Sequence, residues 1–217
     1  MINVMVVDDH NLVRKGLSVM LSSAQGIRVT GEACSGEEAL TLAKSKRPDV
    51  ILMDLKMPGI GGIEATKKLS RMLPEAKIVI VTVCDDDLFP SRVLQAGAVG
   101  YITKGAELEE MLRAIKSVHS GQRYISPEIA RLLALRHLDD TGKSPFEVLS
   151  ERELQVFMMI TQGAKVQDIA DKLCLSSKTV NSYRYRIFEK LGVKNDVELT
   201  HLAIKHGVIE LVDQETS

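Results

Sequence analysis

The chain has 217 residues, of which 45% are hydrophobic and 26% charged, with a formal net charge of −1 at pH 7. This length suits one or two globular domains, and no apolar run is long enough for a membrane helix, so we expect no membrane insertion. Cys34, Cys84 and Cys174 are far apart. That spacing argues against a zinc or disulfide framework and favours a reducing, cytoplasmic location.

Strand-like and helix-like segments alternate five times over the first 120 residues. The strands are predicted from short apolar runs and the helices from apolar residues at helical spacing. The predicted strands are 2–7, 28–33, 50–54, 77–82 and 99–103, and the predicted helices are 12–21, 36–46, 63–72, 89–96 and 107–119. This alternation predicts an α/β fold, a doubly wound five-stranded parallel sheet with helices on both faces.

The third predicted strand ends in an acid. Val50–Met53 is unbroken apolar sequence, typical of a strand buried on both faces, and Asp54 follows it. An Asp after a strand is usually a turn or capping residue. Right-handed crossovers, however, bring the ends of all five strands to one rim. The other polar residues expected on that rim are Asp8, Asp9, Thr82 and Lys104.

Three crowded carboxylates repel one another and need a cation, and an all-oxygen donor set suits Mg²⁺. The metal and the Lys104 ammonium would neutralise a phosphoryl group, while the Thr82 hydroxyl donates to one of its oxygens. A carboxylate such as Asp54 can form an aspartyl-phosphate. Taken singly, these residues would be a helix cap, a solvated lysine or a core aromatic at Tyr101, but their joint occurrence favours the site. We interpret His10 as a surface residue rather than a ligand.

These residues resemble the receiver domain of two-component response regulators, over residues 1–120. The resemblance rests on Asp8-Asp9, the Asp54 strand with Met57-Pro58-Gly59, Thr82, Tyr101 and Lys104. It implies that Asp54 is the phosphoacceptor and that Mg²⁺ is held by Asp8, Asp9, Asp54 and the carbonyl of Lys56. It also implies that Thr82 and Tyr101 form a switch pair and that Lys104 binds the phosphate. Val83 departs from the small residue of many receivers, and its branched side chain would narrow access to the phosphate.

Residues 121–147 are predicted to be a linker, helical after Pro127 and flexible over the polar segment 139–145. Four helices follow within 148–210, and 211–217 form a tail. Ser150 and Glu153 make a capping box with Leu149 as the hydrophobic staple. The second and third helices, 166–173 and 177–191, are joined by a tight turn, which predicts a helix-turn-helix.

One face of the third helix is polar and basic, which is typical of a surface that contacts phosphates and base edges. An ordinary solvated helix face is the alternative. The predicted DNA-contacting residues are Lys178, Thr179, Asn181, Ser182, Arg184, Tyr185, Arg186 and Lys190.

The segment 148–210 resembles the LuxR-type DNA-binding domain, and with the receiver it resembles the NarL/FixJ class of transcription factors. The motifs are Leu149–Glu153, Ile169–Leu173, Thr179-Val180 and Lys190–Val193. Further motifs resemble the GacA/UvrY/SirA group: Pro58–Gly62, Thr82–Cys84, Gly121–Pro127, Lys172–Ser176 and Tyr183–Leu191. The resemblance implies a sensor histidine kinase as partner and promoters in double-stranded DNA as targets, with small regulatory RNA genes as output.

The same resemblance implies a homodimer on phosphorylation, formed through the helix 196–205. Val197, Leu202 and Ile204 would supply its apolar contact, unless they are merely core residues.

A phosphatase or mutase with an aspartyl-phosphate intermediate is the rival interpretation. Enzymes of the haloacid-dehalogenase kind need a second Asp two positions after the nucleophile, where this chain has Lys56. A pure interaction module is a third possibility, made less favourable by the basic helix. We therefore expect a transcription regulator that is not an enzyme, whose receiver only assists its own phosphoryl transfer and dephosphorylation.

Overall fold

A computed structural model of the chain describes residues 1–83, 89–138, 144–206 and 208–209. Cys84, the segment 139–143 of the predicted flexible linker and the predicted tail 211–217 lie outside these residues. The chain divides into two compact units, Met1–Asp140 and Thr141–Ser217. Within the described ranges, no helix combines the length and the apolar character needed to cross a bilayer.

The first unit is a parallel sheet with helices. Its strands are β1 Ile2–Val7, β2 Ile27–Ala33, β3 Val50–Met53, β4 Lys77–Thr82, β5 Gly100–Thr103 and β6 Tyr124–Ile125. Its helices are α1 Asn11–Ser22, α2 Gly36–Lys46, α3 Gly61–Met72, α4 Phe89–Gln95, α5 Leu108–His119 and α6 Pro127–Leu138. The strand order is β2-β1-β3-β4-β5-β6, and all neighbouring pairs are parallel. The predicted doubly wound α/β fold is confirmed.

The sheet has a sixth strand, so the predicted count of five was wrong. Tyr124 pairs with Gly100, and Ile125 pairs with Tyr101. Backbone bonds of 3.1 Å from the Tyr124 amide to Val99 and 2.9 Å from the Ser126 amide to Tyr101 hold β6 in place. Two residues are too few to show a period along the sequence, so only pairing reveals this strand.

The central strands are buried on both faces, as their apolar composition predicts. All four residues of β3 are buried. Leu52 and Val6 belong to a core cluster that includes Met111 and Ile115 of α5. Because the faces of the sheet are closed by apolar packing, polar side chains gather where the strands end.

The second unit is helical. A 3₁₀ turn, Pro145–Val148, precedes α7 Glu151–Thr161, α8 Val166–Leu173, α9 Ser177–Leu191 and α10 Asp196–Lys205. Phe146 from the 3₁₀ turn packs on Phe157 of α7, with ring centroids 4.7 Å apart. His206 meets the same Phe146 ring edge-on at 5.7 Å. These ring contacts form a small aromatic cluster in the second unit.

Local sequence signals explain where these helices begin. Ser150 and Glu153 form the predicted capping box at the start of α7. Ser176 accepts a hydrogen bond from the Thr179 amide at 3.1 Å and so begins α9. Between α8 and α9, Cys174 adopts a left-handed conformation with φ of 53°, which turns the chain sharply. The predicted helix-turn-helix is present in α8 and α9.

Candidate functional site

The carboxyl ends of β1 and β3 bring acidic side chains together at one edge of the sheet. Asp8 follows β1 and Asp54 follows β3, and each residue is only 2% exposed. Ligand atoms of Asp8, Asp9, His10 and Asp54 all lie within 4.8 Å of one another. In this strand order the β1/β3 junction is the topological switch point, where open α/β sheets bind their ligands.

Lys104 connects two of these carboxylates. Its Nζ lies 2.7 Å from Oδ2 of Asp8 and 2.8 Å from Oδ2 of Asp54. Its backbone amide donates to the carbonyl of Thr82 at 2.8 Å, which ties the residue after β5 to the end of β4. Side chain and backbone together hold the ammonium against the acids.

Burial and charge shift the pKa values of this pair. Burial raises the pKa of Asp54 and the nearby Asp8 carboxylate adds to the rise, although the bond and charge of Lys104 oppose it. Burial alone would lower the pKa of Lys104, but its bonds to Asp54 and Asp8 outweigh burial and raise that pKa. The lysine therefore stays charged at neutral pH, where it compensates carboxylates that are costly to ionise in a buried site.

The loop after β3 folds tightly over Asp54. The Asp54 amide donates to the Val7 carbonyl at 2.9 Å, and the Gly62 amide donates to the Leu55 carbonyl at 3.1 Å. The amide of Lys56 donates to Oδ1 of Asp54 at 3.4 Å. A Cβ atom on Gly62 would overlap the Asp54 carbonyl oxygen, so α3 can begin here only because residue 62 has no side chain. Sequence reasoning missed this role, because a glycine at a helix start signals only a turn.

The acidic cluster fits a magnesium ion. Oδ1 of Asp9 is buried and receives no hydrogen bond from the residues that the structure describes. Nδ1 of His10 lies 3.0 Å from that oxygen. A buried carboxylate oxygen without a donor is normally compensated by a cation. Three carboxylates with an oxygen left free for a metal form the donor set that Mg²⁺ prefers.

Two basic residues near Asp8 also lie at this edge, and of these sequence reasoning missed Arg14. The His10 imidazole is exposed, so His10 is a surface residue, and it lies 3.0 Å from Asp9 and 3.5 Å from Asp8 at the rim of the cluster. Arg14 donates through Nη1 to the Asp8 carbonyl at 2.6 Å. The available sequence signal for Arg14 was its position, one turn into the helix that follows the two acids.

The predicted switch pair lies on neighbouring strands. Thr82 is the last residue of β4 and Tyr101 lies within β5, and each is 2% exposed. Both side chains are therefore buried, and their role as a switch pair stays a prediction. Val83, directly after Thr82, is 47% exposed, so its branched side chain stands at the surface beside the site.

In the second unit, α9 buries one face and exposes the other. Val180, Ile187 and Phe188 are buried. Lys178, Ser182, Tyr185 and Arg186 are exposed, while Thr179 and Asn181 are half-buried. These six residues, which are predicted to contact DNA, recur at helical spacing and so lie on the accessible side of α9.

Arg184 is paired within the unit, and its predicted contact with DNA stays a prediction. Its Nε and Nη2 donate to the two carboxylate oxygens of Asp196 at 2.7 and 2.6 Å. The guanidinium also lies over the ring of Phe188, 5.4 Å from its centroid. The planar guanidinium of arginine suits a bidentate ion pair that also lies on an aromatic ring. Arg184 therefore joins α9 to α10.

Lys190 is also engaged internally. Its ammonium donates to Oε2 of Glu153 at 2.6 Å and to the carbonyl of Val148 at 3.2 Å. Burial works against ionisation of Glu153, but the Lys190 bond and the Ser150 amide hold its pKa below the usual range. Its charge is thus already paired with the α7 capping box, and its predicted contact with DNA stays a prediction.

The three residues predicted for a dimer are exposed to different degrees on α10. Val197 and Ile204 of α10 line a concavity of about 450 Å³ together with Ile160 and His201. Leu202 does not line it and is half-buried. On a helix Leu202 lies well around from Val197, nearer the buried side. Val197 and Ile204 therefore share one concave surface of α10, and the dimer contact of the three residues stays a prediction.

Comparisons with known proteins match both units. Residues 4–116 match the response regulator receiver domain, and residues 147–203 match the bacterial regulatory proteins of the luxR family. The response regulator GacA of Pseudomonas aeruginosa is 59% identical, covering 97% of this chain and 99% of its own length. The response regulator UvrY of Escherichia coli is 53% identical, covering 96% of each.

A solved structure extends the comparison to the fold. RcsB from Salmonella enterica serovar Typhimurium, bound to promoter rprA in the presence of the phosphomimetic BeF3−, has a TM-score of 0.65 and 27% identity. The match covers 93% of this chain and 97% of that one.

Proposed function

The chain belongs to the response regulators that join a receiver domain to a LuxR-type DNA-binding domain, and from that membership we propose that phosphorylation of Asp54 controls promoter binding by the second unit. The observation that carries the proposal is the Lys104 ammonium, which bridges Asp54 and Asp8 beside the half-buried carboxylate of Asp9. This is the arrangement needed to bring a phosphoryl group onto a carboxylate.

The proposed donor is a phosphohistidine of a sensor histidine kinase. A carboxylate oxygen of Asp54 attacks phosphorus, so that a P–O bond forms as the P–N bond breaks, and the departing imidazole takes a proton from water. Lys104 supplies positive charge to the phosphoryl oxygens, and the Thr82 hydroxyl donates to one of them. Asp8, Asp9, Asp54 and the Lys56 carbonyl would hold Mg²⁺, which would supply further positive charge to the phosphoryl transfer.

We further propose that Thr82 and Tyr101 transmit the signal. Thr82 can donate to a phosphoryl oxygen only by moving toward it, and this movement leaves space on the neighbouring strand β5 into which the Tyr101 side chain turns. The phosphoryl group then shifts a two-state equilibrium by its preference for one state. The placement of Thr82 and Tyr101 as buried residues on neighbouring strands supports this assignment.

The proposed output is DNA binding through the exposed face of α9. Asn181, Ser182 and Tyr185 are assigned to base edges, and Lys178 and Arg186 to phosphates, with Thr179 beside them. The related RcsB has been solved bound to promoter DNA, which supports DNA as the partner and a cytoplasmic location. From the likeness to the GacA group, we propose small regulatory RNA genes as targets.

A homodimer is the proposed DNA-binding form, because LuxR-type domains read paired half-sites. The related RcsB has also been solved as dimers bound to DNA. In this chain Val197 and Ile204 form the apolar part of the proposed contact on α10.

The receiver is proposed to assist only its own phosphorylation and dephosphorylation, without turnover of a separate substrate. Lys56 supports this, because it occupies the position at which an aspartyl-phosphate phosphatase needs a second acid. Steady turnover of a generic phosphomonoester would favour the enzyme instead.

The decisive experiment is labelling with a small-molecule phosphodonor and Mg²⁺. Asp54→Asn should abolish labelling, because the nucleophilic oxygen is lost while the side chain keeps its shape. Asp49→Asn is the matched control, since Asp49 lies at the opposite end of β3 and accepts from the Asn3 amide. That variant should label as wild type. Retained labelling of Asp54→Asn would refute Asp54 as the phosphoacceptor.

A further inference from the structure

The loop between β3 and α3 is fastened to α2 by one carboxylate, and we propose that Glu37 is a positioning residue for the acidic site. Glu37 touches no reacting atom. It acts by fixing the backbone that presents Asp54 and the Lys56 carbonyl to Mg²⁺. This inference rests on the proposed function, because it gives Glu37 a part in that same site.

The contact between Glu37 and the loop is direct. Glu37 lies in the first turn of α2, and its Oε1 accepts a hydrogen bond from the Ile60 amide at 2.9 Å. Gly59 has a φ of +72°, and a Cβ atom there would lie 2.5 Å from both carboxylate oxygens of Glu37. The carboxylate therefore occupies the space that a side chain at residue 59 would take.

This contact fixes the second end of the metal-binding loop. At the first end, the Asp54 amide is bonded to the Val7 carbonyl of β1. At the second end, the Ile60 amide is bonded to Glu37. Lys56 lies between the two anchors, and the ligand it is proposed to offer is a backbone carbonyl. A backbone ligand is oriented by the loop rather than by a side-chain rotamer, so losing an anchor should weaken metal binding.

The next residue on α2 provides a matched control. Glu38 accepts from the Cys34 amide at 2.7 Å, and its own amide donates to Ser35 Oγ at 3.2 Å. Both acids lie in the same first turn of α2 and both favour the helix dipole. Glu38 caps its own helix, whereas Glu37 reaches the loop. Only Glu37 should therefore affect the metal site.

The test uses the full chain and Mg²⁺ alone, with three readouts: the Mg²⁺ dissociation constant by calorimetry, exchange of the Ile60 amide, and the melting temperature. Glu37→Ala should weaken Mg²⁺ binding about tenfold, as for other outer-shell supports, and speed exchange at Ile60. Glu37→Gln keeps an oxygen acceptor and should stay within about twofold of wild type. Glu38→Ala should lower the melting temperature and leave Mg²⁺ binding unchanged.

Equal Mg²⁺ affinity in Glu37→Ala and wild type would overturn the inference, as would equal weakening by Glu38→Ala. Should Glu37→Ala fail to fold, Glu37→Asp gives the same comparison, because it keeps the charge but falls one methylene short. Failure of the wild type itself to bind Mg²⁺ would instead count against the proposed function. The two failures are thus told apart by the wild-type titration.

Discussion

Replacing Lys190 should destabilise the second unit without touching DNA recognition. Glu153 is 4% exposed and Lys190 38% exposed at the side chain. Removing one partner of a fully buried ion pair costs about 3–5 kcal/mol, and an exposed pair contributes about 0–1 kcal/mol. Glu153 keeps the Ser150 amide at 2.7 Å, and Lys190 is partly solvated. For Lys190→Met we therefore expect a loss of about 1–2 kcal/mol.

Hydrogen exchange on the full chain measures this loss in the second unit alone. A change of 1–2 kcal/mol corresponds to about 5–30-fold faster exchange in peptides from α7 and α9. The control is Lys178→Met on the exposed face of α9, which should exchange as wild type. The two variants should show the opposite pattern in DNA binding. Lys178→Met should lower the salt slope by about one, and Lys190→Met should leave it unchanged.

The effect should also depend on pH in a defined direction. The folded pKa of Glu153 lies below its ordinary value of 4.5. Its pairing therefore stabilises the fold above pH 4.5, and that contribution is lost as the pH falls through the lowered value. The difference in free energy of unfolding between wild type and Lys190→Met should be largest at neutral pH and should shrink in acid. Wild-type exchange rates in Lys190→Met, together with a reduced salt slope, would refute the internal role.

Two further substitutions test the packing of the site and the division of the basic residues. Gly62→Ala should cost about 1–3 kcal/mol and slow phosphorylation, because the added methyl displaces the Asp54 backbone; Gly16→Ala, which meets open space on exposed α1, should not destabilise in the same thermal scan. Arg186→Ala should lower the salt slope of DNA binding by about one, whereas Arg184→Ala should leave the slope unchanged and loosen α10 in hydrogen exchange.

Much of the fold follows from local sequence. The bounds of α2, α8, α9 and α10 agree with the apolar spacing and the caps, since helix starts and stops are set by neighbouring residues. The strands with continuous apolar runs are also predictable, because each run is visible in the local sequence. The acidic edge is also predictable, because parallel strands with right-handed crossovers must end on one side of the sheet. Asp8, Asp9, Asp54, Thr82 and Lys104 therefore follow from chain order alone.

Only the tertiary structure decides which partner each polar group takes. Composition marks Arg184 and Lys190 as two more basic residues on α9, and nothing near them in sequence reveals Asp196 or Glu153 as their partners. The same holds for Glu37 and Ile60, which lie 23 positions apart, and for Gly62, whose need for no side chain comes from the Asp54 carbonyl. Sequence periodicity reports which face of an element is buried, because burial follows from local spacing. A specific long-range contact depends on where two separate elements meet, and that position is set by the packing of the whole unit.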